Sequence, residues 1–143
     1  MEQNMKKLMT EYLINKENLN ERIVYIKDSD DYYVSENGNI YREYQPNKFL
    51  KKKIYINPNN QYAYCGISYS GSMKTTRVHR LVAMYFVENS TPSNDIVGHK
   101  DNNKSNNVYT NLYWTNTSEN TKKAFDDGLA YNAKGLMIAN QCQ

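Results

Sequence analysis

The stretch IVGHKDNNKSNNVYTNLYWTNTSENTKKAFDDG, residues 96–128, decides the fold of the second half of the chain. Its segments 96–99 and 112–115 are short, apolar and partly β-branched, which predicts two strands. The Asn-rich segment 100–110 between them predicts a loop. Segment 118–127 then predicts a helix, so the stretch is expected to form one compact strand, loop, strand and helix unit.

Three polar side chains are expected to meet in this unit. His99 closes the first predicted strand, Asn111 opens the second, and Asn120 lies in the first turn of the helix. Hydrolysis of a phosphodiester needs a base for water, a group that orients the base, and a cation that stabilises the leaving oxygen. Imidazole suits the first role, an amide suits the second, and Mg²⁺ accepts one Asn carbonyl together with waters and phosphate oxygens. The three residues therefore predict a hydrolytic site.

Residues 21–72 predict an antiparallel β module. Apolar residues and tyrosines mark its strands, and Asn37-Gly38 and Ser70-Gly71 supply tight turns. The predicted strands cover residues 23–26, 32–34, 39–44, 49–56 and 62–69.

Helical spacing appears twice more along the chain. Apolar residues within 3–19 predict a short amphipathic helix, with a frayed arm as the alternative. A buried apolar stripe predicts a helix over about 76–87, on which His79 is interpreted as a structural histidine with satisfied polar atoms. The helix that follows the Asn-rich loop is expected to take Thr117 or Ser118 as its N-cap.

Composition favours one soluble domain. The 143 residues are 39% hydrophobic and 13% aromatic, which allows a core and argues against a disordered tail. The sequence has neither a long apolar run nor the apolar core of a signal peptide, so neither a membrane location nor secretion is expected. Cys65 and Cys142 cannot form a CxxC knuckle and favour a reduced, cytoplasmic setting. The net charge of +3 and the many Asn, Lys and Tyr residues suit nucleic-acid binding, or reflect an AT-rich coding genome.

Three signatures in the sequence resemble one known family. Residues 97–128 resemble the HNH motif of phage and intron-encoded homing endonucleases, whose pattern runs V-x-H-x-D-x-N-x-x-N-N, then N-L-x-W, then E-N. The segment VHRLVA at 78–83 resembles the family's preceding helix. The segment YVSENGNI at 33–40 resembles the Y-x-V-S-x-x-G-x-V signature of an N-terminal module often joined to these nucleases. The resemblance covers about residues 22–128, with the signatures in the family's order.

This resemblance implies an α+β protein in which an N-terminal antiparallel β module precedes a ββα-metal nuclease unit, the HNH or His-Me finger. It implies that His99 is the general base, that Asn111 braces the loop and orients the base, and that Asn120 is the metal ligand. The implied cofactor is one divalent ion per site, Mg²⁺ or Mn²⁺, which lies between the scissile phosphate and the 3′ leaving oxygen.

One position departs from the family pattern. The residue before the base often carries Asp or Asn as a second metal ligand, and here it is Gly98. Either the metal is held by Asn120, waters and DNA oxygens alone, or the site is weakened. Asp101 points to the same face as His99 if the strand continues and is a candidate substitute, but such an Asp more often caps the loop.

Basic residues supply the candidate DNA contacts. Lys51, Lys52 and Lys53 are predicted on a strand next to tyrosines, either as a solvated face or as a β-ribbon for the major groove. Arg77 and Arg80 are expected on one side of the helix over 76–87, and Lys104 lies in the Asn-rich loop.

These observations together predict a divalent-metal-dependent HNH endonuclease of the phage-encoded homing type that cleaves or nicks double-stranded DNA. The alternative is a catalytically weakened relative that binds DNA or inhibits another protein, such as a host defence nuclease. A monomer in the host-cell cytoplasm is expected, with an N-terminal helix or arm at 1–20, the β module at 21–72, the nuclease unit at 73–128 and a tail at 129–143.

Overall fold

Three antiparallel sheets and two helices make up the computed structural model, which describes residues 13–127. The strands of the first sheet are β1 (Ile14–Asn15), β2 (Ile23–Tyr25), β3 (Tyr32–Ser35), β4 (Ile40–Gln45) and β5 (Lys48–Lys51). They lie in the order β1-β5-β4-β3-β2. The predicted Asn37-Gly38 turn joins β3 to β4, with Gly38 at a φ of 86° that glycine adopts readily.

The second sheet links the N-terminal half to the nuclease-like half. Its strands are β6 (Tyr55–Ile56), β7 (Ala63–Tyr69) and β8 (Ser72–Arg77). The predicted turn at Ser70-Gly71 joins β7 to β8, which pair along the whole of β8. The predicted division between residues 72 and 73 therefore lies at the start of a strand that pairs with the preceding one.

The third sheet and the helices form the compact unit that the sequence predicts. Helix α1 (Val78–Phe86) follows β8 directly, and β9 (Ile96–His99) pairs with β10 (Leu112–Thr115). Helix α2 (Thr117–Asp126) then begins after Asn116, whose side chain accepts a hydrogen bond from the Glu119 backbone N–H. The N-cap is thus Asn116, one residue before the predicted Thr117, because its side-chain oxygen reaches the free N–H of the first turn.

One hydrophobic core joins the first sheet, β7, α1, β9 and β10. Its fully or almost fully buried members are Ile26, Tyr32, Val34, Ile40, Ala63, Cys65, Ile67, Val78, Leu81, Val82, Ala83, Val97 and Leu112. Trp114 packs against this core and donates its Nε1–H to the Val87 carbonyl at 3.0 Å. Because both halves contribute side chains, the β module and the HNH-like unit share one core.

Three further sequence predictions differ from the structure. The part of the predicted 3–19 helix within the described residues is instead β1 and a 3-10 turn at Lys16–Asn18, because β1 pairs with β5 far along the chain. Residues 3–12 lie outside the described residues. The predicted strand 49–56 divides between two sheets, and the α1 helix begins at Val78 because residues 76 and 77 still belong to β8. Between residues 13 and 127, neither helix is long and apolar enough to cross a membrane.

Candidate active site

His99 is held at the end of β9 in a defined orientation. It pairs in register with Leu112, and its ring is buried. Its Nε2 lies 2.8 Å from the Asn107 side-chain oxygen. When that oxygen accepts, Nε2 carries the proton, and the lone pair is left on Nδ1. No residue within 13–127 forms a hydrogen bond with Nδ1, so this nitrogen is available to a water molecule.

The hydrogen bond with the His99 ring comes from Asn107, whereas the contacts of Asn111 are with the loop. The Asn111 side chain donates to Asp101 Oδ1 and to the Asn106 carbonyl, each at 2.9 Å, and accepts from the Asp101 N–H at 3.2 Å. It forms no hydrogen bond with the His99 ring. The predicted bracing role of Asn111 agrees with these contacts, and the contact with the base belongs to a residue four positions earlier.

Asp101 is engaged in hydrogen bonds within the loop. Its carboxylate accepts from the Asn103 N–H at 2.8 Å and from the side chains of Asn106 and Asn111. These hydrogen bonds lower the pKa of Asp101 to about 2. Asp101 is also absent from the lining of the pocket that contains His99. These contacts favour the loop-cap alternative for Asp101.

His99, the predicted base, and Asn120, the predicted metal ligand, line the same pocket of about 290 Å³. Asn120, Lys123 and Ala124 stand three and four residues apart on α2 and therefore present one helix face to the pocket. Its remaining lining comes from the β9–β10 ladder, the loop and the residue before β7: Tyr62, Ile96, Val97, Gly98, Asn102, Lys104 and Tyr113.

Asn120 gives the pocket an unengaged amide oxygen that suits a divalent cation. The Asn120 side chain has no hydrogen bond with any residue of the described range, so its carbonyl oxygen is free to bind a metal. Gly98 offers no side chain, and the Tyr113 ring occupies the space next to it. No group of three or more His, Cys, Asp or Glu residues suited to a metal occurs within residues 13–127. The residues fit Mg²⁺ held by one amide oxygen, with waters and phosphate oxygens as its other ligands.

Burial keeps the His99 ring neutral. Loss of solvent lowers the pKa of His99, and the nearby Lys104 lowers it further, whereas the Asn107 hydrogen bond and Asp101 raise it. The net effect is a lowered pKa, which favours the neutral form of the imidazole at neutral pH. A neutral imidazole with a free nitrogen can accept a proton from water.

His79 lies directly behind His99, and it is not the satisfied histidine predicted from the sequence. The two ring centroids are 5.2 Å apart, and His79 stacks on Tyr62 at 4.9 Å. Its Nδ1 is buried without a hydrogen-bond partner. Burial, followed by the proximity of His99, lowers the pKa of His79 to about 3. His79 is therefore a neutral ring packed against the candidate base.

Two cations flank the aromatic wall of the pocket. The Arg77 guanidinium lies 4.8 Å from the Tyr62 ring centroid, and Lys104 Nζ lies 4.9 Å from it. Lys123 also lines the pocket, where it donates to Asn102 Oδ1 and pairs with Asp127. Positive charge around a pocket attracts phosphate.

Arg77 and Arg80 do not share a helix face, and the three consecutive lysines lie away from the pocket. Arg77 ends β8 and is not on α1, while Arg80 on α1 donates to the Asp95 carbonyl at 2.9 Å. The expectation that both project from one side of the same helix is therefore wrong. Lys51 ends β5, and Lys52 and Lys53 follow it in the connection to β6, outside the pocket.

Sequence reasoning missed four residues of the site: Asn107, Tyr62, Tyr113 and Lys123. Tyr113 and Lys123 could have been found, because strand pairing sets Tyr113 opposite Gly98 and Lys123 lies one helical turn beyond Asn120. The contact of Asn107 depends on the path of an irregular loop, and Tyr62 comes from another sheet, so neither has a local signal.

Comparisons with known proteins find HNH endonucleases. A family model described as HNH endonuclease matches residues 76–122. The chain is 37% identical over 108 residues to the DNA endonuclease I-HmuI of Bacillus phage SP01, covering 76% of this chain and 59% of that protein. It is 40% identical over 100 residues to an uncharacterized HNH endonuclease, L245, of Acanthamoeba polyphaga mimivirus, covering 70% of this chain and 28% of that protein.

A solved structure has the same fold. A structure of the HNH homing endonuclease I-HmuI, reported for its DNA binding and cleavage, superposes on this chain with a TM-score of 0.68. The two chains are 34% identical, and the superposition covers 85% of this chain and 65% of that chain. This chain therefore spans between about a quarter and two thirds of the length of these relatives. On the family match, the sequence identity and the shared fold, the chain belongs to the HNH homing endonuclease family.

Proposed function

We propose that this protein is a DNA endonuclease that hydrolyses phosphodiester bonds with the help of one divalent metal ion, Mg²⁺ or Mn²⁺. The observation that carries the proposal is the state of His99: Nε2 is engaged by Asn107 at 2.8 Å, while the ring is neutral and lines the same pocket as Asn120. A base with one nitrogen fixed and the other free is what deprotonation of water requires.

Each side chain of the proposed site has its own role. His99 accepts the proton of the attacking water at Nδ1, and the hydrogen bond with Asn107 keeps Nε2 protonated meanwhile. Asn111 keeps the loop in shape through Asp101 and the Asn106 carbonyl. Asn120 offers its carbonyl oxygen to the metal, which when bound stabilises negative charge at the scissile phosphate and the leaving oxygen.

DNA is the proposed substrate because the rim of the pocket is basic and aromatic. Arg77 and Lys104 lie over Tyr62, and Lys123 lines the α2 side. Lys51, Lys52 and Lys53, on the β module and outside the pocket, are further candidate phosphate contacts. The relative I-HmuI is named as a DNA endonuclease. For this chain we propose a phage-encoded homing role. The protein would act as a monomer in the host-cell cytoplasm.

One observation favours a second function. Gly98 has no side chain at the position where the family often carries a second metal ligand, and Tyr113 fills the space beside it. A protein that keeps the fold but binds metal weakly would act by binding DNA or by blocking another nuclease.

Cleavage of supercoiled plasmid distinguishes the two functions. The enzyme should nick plasmid in Mg²⁺ or Mn²⁺ and not in chelator, and should leave 5′-phosphate and 3′-hydroxyl ends that accept ligation. If the protein binds the plasmid but leaves it intact in every metal, the binding function is correct and the nuclease proposal is wrong.

A further inference from the structure

The hairpin turn between β3 and β4 contacts the loop that orients His99. Gly38 is buried at this turn, and a Cβ atom added to it would lie 3.0 Å from the Asn107 Cβ and 3.2 Å from the Asn107 carbonyl oxygen. A second contact lies beside it, where the Tyr109 N–H donates to the Glu36 carbonyl at 2.8 Å. The first sheet therefore touches the loop at Asn107 and again two residues later.

The turn itself is firmly held. Ser35 is fully buried, and its hydroxyl oxygen accepts from the N–H groups of Asn37 at 3.2 Å and Asn39 at 2.9 Å. The Gly38 N–H donates to the Ser35 carbonyl at 3.1 Å. A turn fixed by three hydrogen bonds can serve as a rigid support for the loop packed on it.

Asn107 transmits this support to the base. Asn107 is buried, with its backbone and Cβ against Gly38 and its side-chain oxygen on His99 Nε2. A displacement of Asn107 by a few tenths of an ångström changes the length of that 2.8 Å hydrogen bond directly, because no other residue lies between them.

We propose that the β3–β4 turn is a positioning element for the catalytic base: the absence of a side chain at Gly38 lets Asn107 approach, and Asn107 holds His99 with its proton on Nε2. This inference rests on the proposed nuclease function. It makes the first sheet a structural part of the active site, in addition to any role in docking DNA.

A matched pair of glycines tests the proposal. Gly71, in the β7–β8 turn, has a φ of 82°, close to the 86° of Gly38, but a Cβ added there has no atom within 4 Å. Gly38→Ala and Gly71→Ala therefore impose the same kind of backbone strain. Only Gly38→Ala also pushes on Asn107.

The state of His99 can be read without any reaction, because the chain contains only two histidines. Imidazole ¹⁵N NMR of the full chain should show His99 with its proton on Nε2 in the wild type and in Gly71→Ala. In Gly38→Ala the Nε2-protonated fraction should fall. The pKa of His99 should fall as well, because the Asn107 hydrogen bond raises it, while His79, Asp101 and Lys104 still face the ring unchanged.

Cleavage rates complete the test. With saturating DNA and Mg²⁺, Gly38→Ala should lower kcat at least tenfold with little change in KM, and Gly71→Ala should stay within twofold of wild type. Asn107→Ala should reproduce the loss, and Gly38→Ala combined with Asn107→Ala should be no slower than Asn107→Ala alone.

Two results would overturn the positioning role. One is a His99 ¹⁵N spectrum of Gly38→Ala that matches that of Gly71→Ala. The other is full additivity of the Gly38 and Asn107 variants. A wild-type protein that cleaves no DNA would instead overturn the proposed function, and the NMR comparison would still decide whether the turn positions the ring.

Discussion

Gly98 and Tyr113 face each other across the β9–β10 ladder, and a Cβ atom at position 98 would lie 2.6 Å from the Tyr113 hydroxyl oxygen. That separation is shorter than any real carbon side chain tolerates, so the tyrosine can keep its position only because residue 98 is glycine. The position where the family often carries a second metal ligand is therefore occupied by a neighbouring ring.

The first prediction concerns this pair. From the sequence alone, Gly98→Asp should strengthen metal binding. In the structure the new carboxylate meets Tyr113, so we expect the single variant to lose about 1–3 kcal/mol of stability, as overpacking usually does, without tighter Mn²⁺ binding. Gly98→Asp combined with Tyr113→Ala should bind Mn²⁺ at least tenfold more tightly than Tyr113→Ala alone. Calorimetric titration with Mn²⁺ and thermal unfolding provide the measurements, and tighter binding by a stable single variant would contradict this account.

A second prediction follows from the two buried histidines. Burial lowers the pKa values of His79 and His99, so below pH 6.5 the unfolded chain binds protons that the folded protein does not. The stability that the two neutral histidines contribute is fully present above pH 6.5 and is lost as the pH falls. For His79 the loss continues down to about pH 3, by up to about 1.4 kcal/mol per pH unit. Urea unfolding between pH 7 and 4 measures this slope. His79→Phe keeps a ring on Tyr62 and should flatten the curve, and an equal slope in this variant would exclude His79 as its source.

The cations around Tyr62 lead to a third prediction. If Arg77 and Lys104 contact phosphates, Arg77→Gln and Lys104→Gln should each weaken DNA binding and lower the slope of log affinity against log salt by about 0.9. Lys27→Gln, at a lysine outside the pocket lining, is the control. The same titration with Lys51, Lys52 and Lys53 changed together to Gln decides between a DNA-binding ribbon and a solvated face. An unchanged slope in every variant would place the phosphate contacts elsewhere.

A fourth prediction separates Asn111 from Asn107. The Asn111 side chain makes three hydrogen bonds to the loop, so Asn111→Ala should cost about 1–3 kcal/mol of stability. In the folded Asn111→Ala variant, imidazole ¹⁵N NMR should still show His99 with its proton on Nε2. A variant as stable as wild type would show that these contacts contribute little to the loop.

The two strands of the site could be predicted from the sequence to the residue. Segments 96–99 and 112–115 form strands with those bounds, because each is a short apolar run between polar turn residues. Local pattern was equally sufficient for the turns at Gly38 and Gly71.

Long-range pairing was not predictable in the same way. The exposed, polar β8 has no alternating pattern and forms because β7 offers it a free edge. The two-residue β1 likewise depends on β5, more than thirty positions away. The hydrogen bond between Asn107 and His99 depends on a turn some seventy residues earlier in the chain, which no local spacing encodes.

The rate of plasmid nicking by His99→Ala tests the central claim, that His99 is the base of a metal-dependent nuclease. A general base contributes about 10²–10⁴-fold to a reaction rate. We predict that, under single-turnover conditions with saturating Mg²⁺, His99→Ala nicks supercoiled plasmid at least about 100-fold more slowly than wild type while binding the same DNA equally well. Nicking by the folded variant at the wild-type rate would contradict the account.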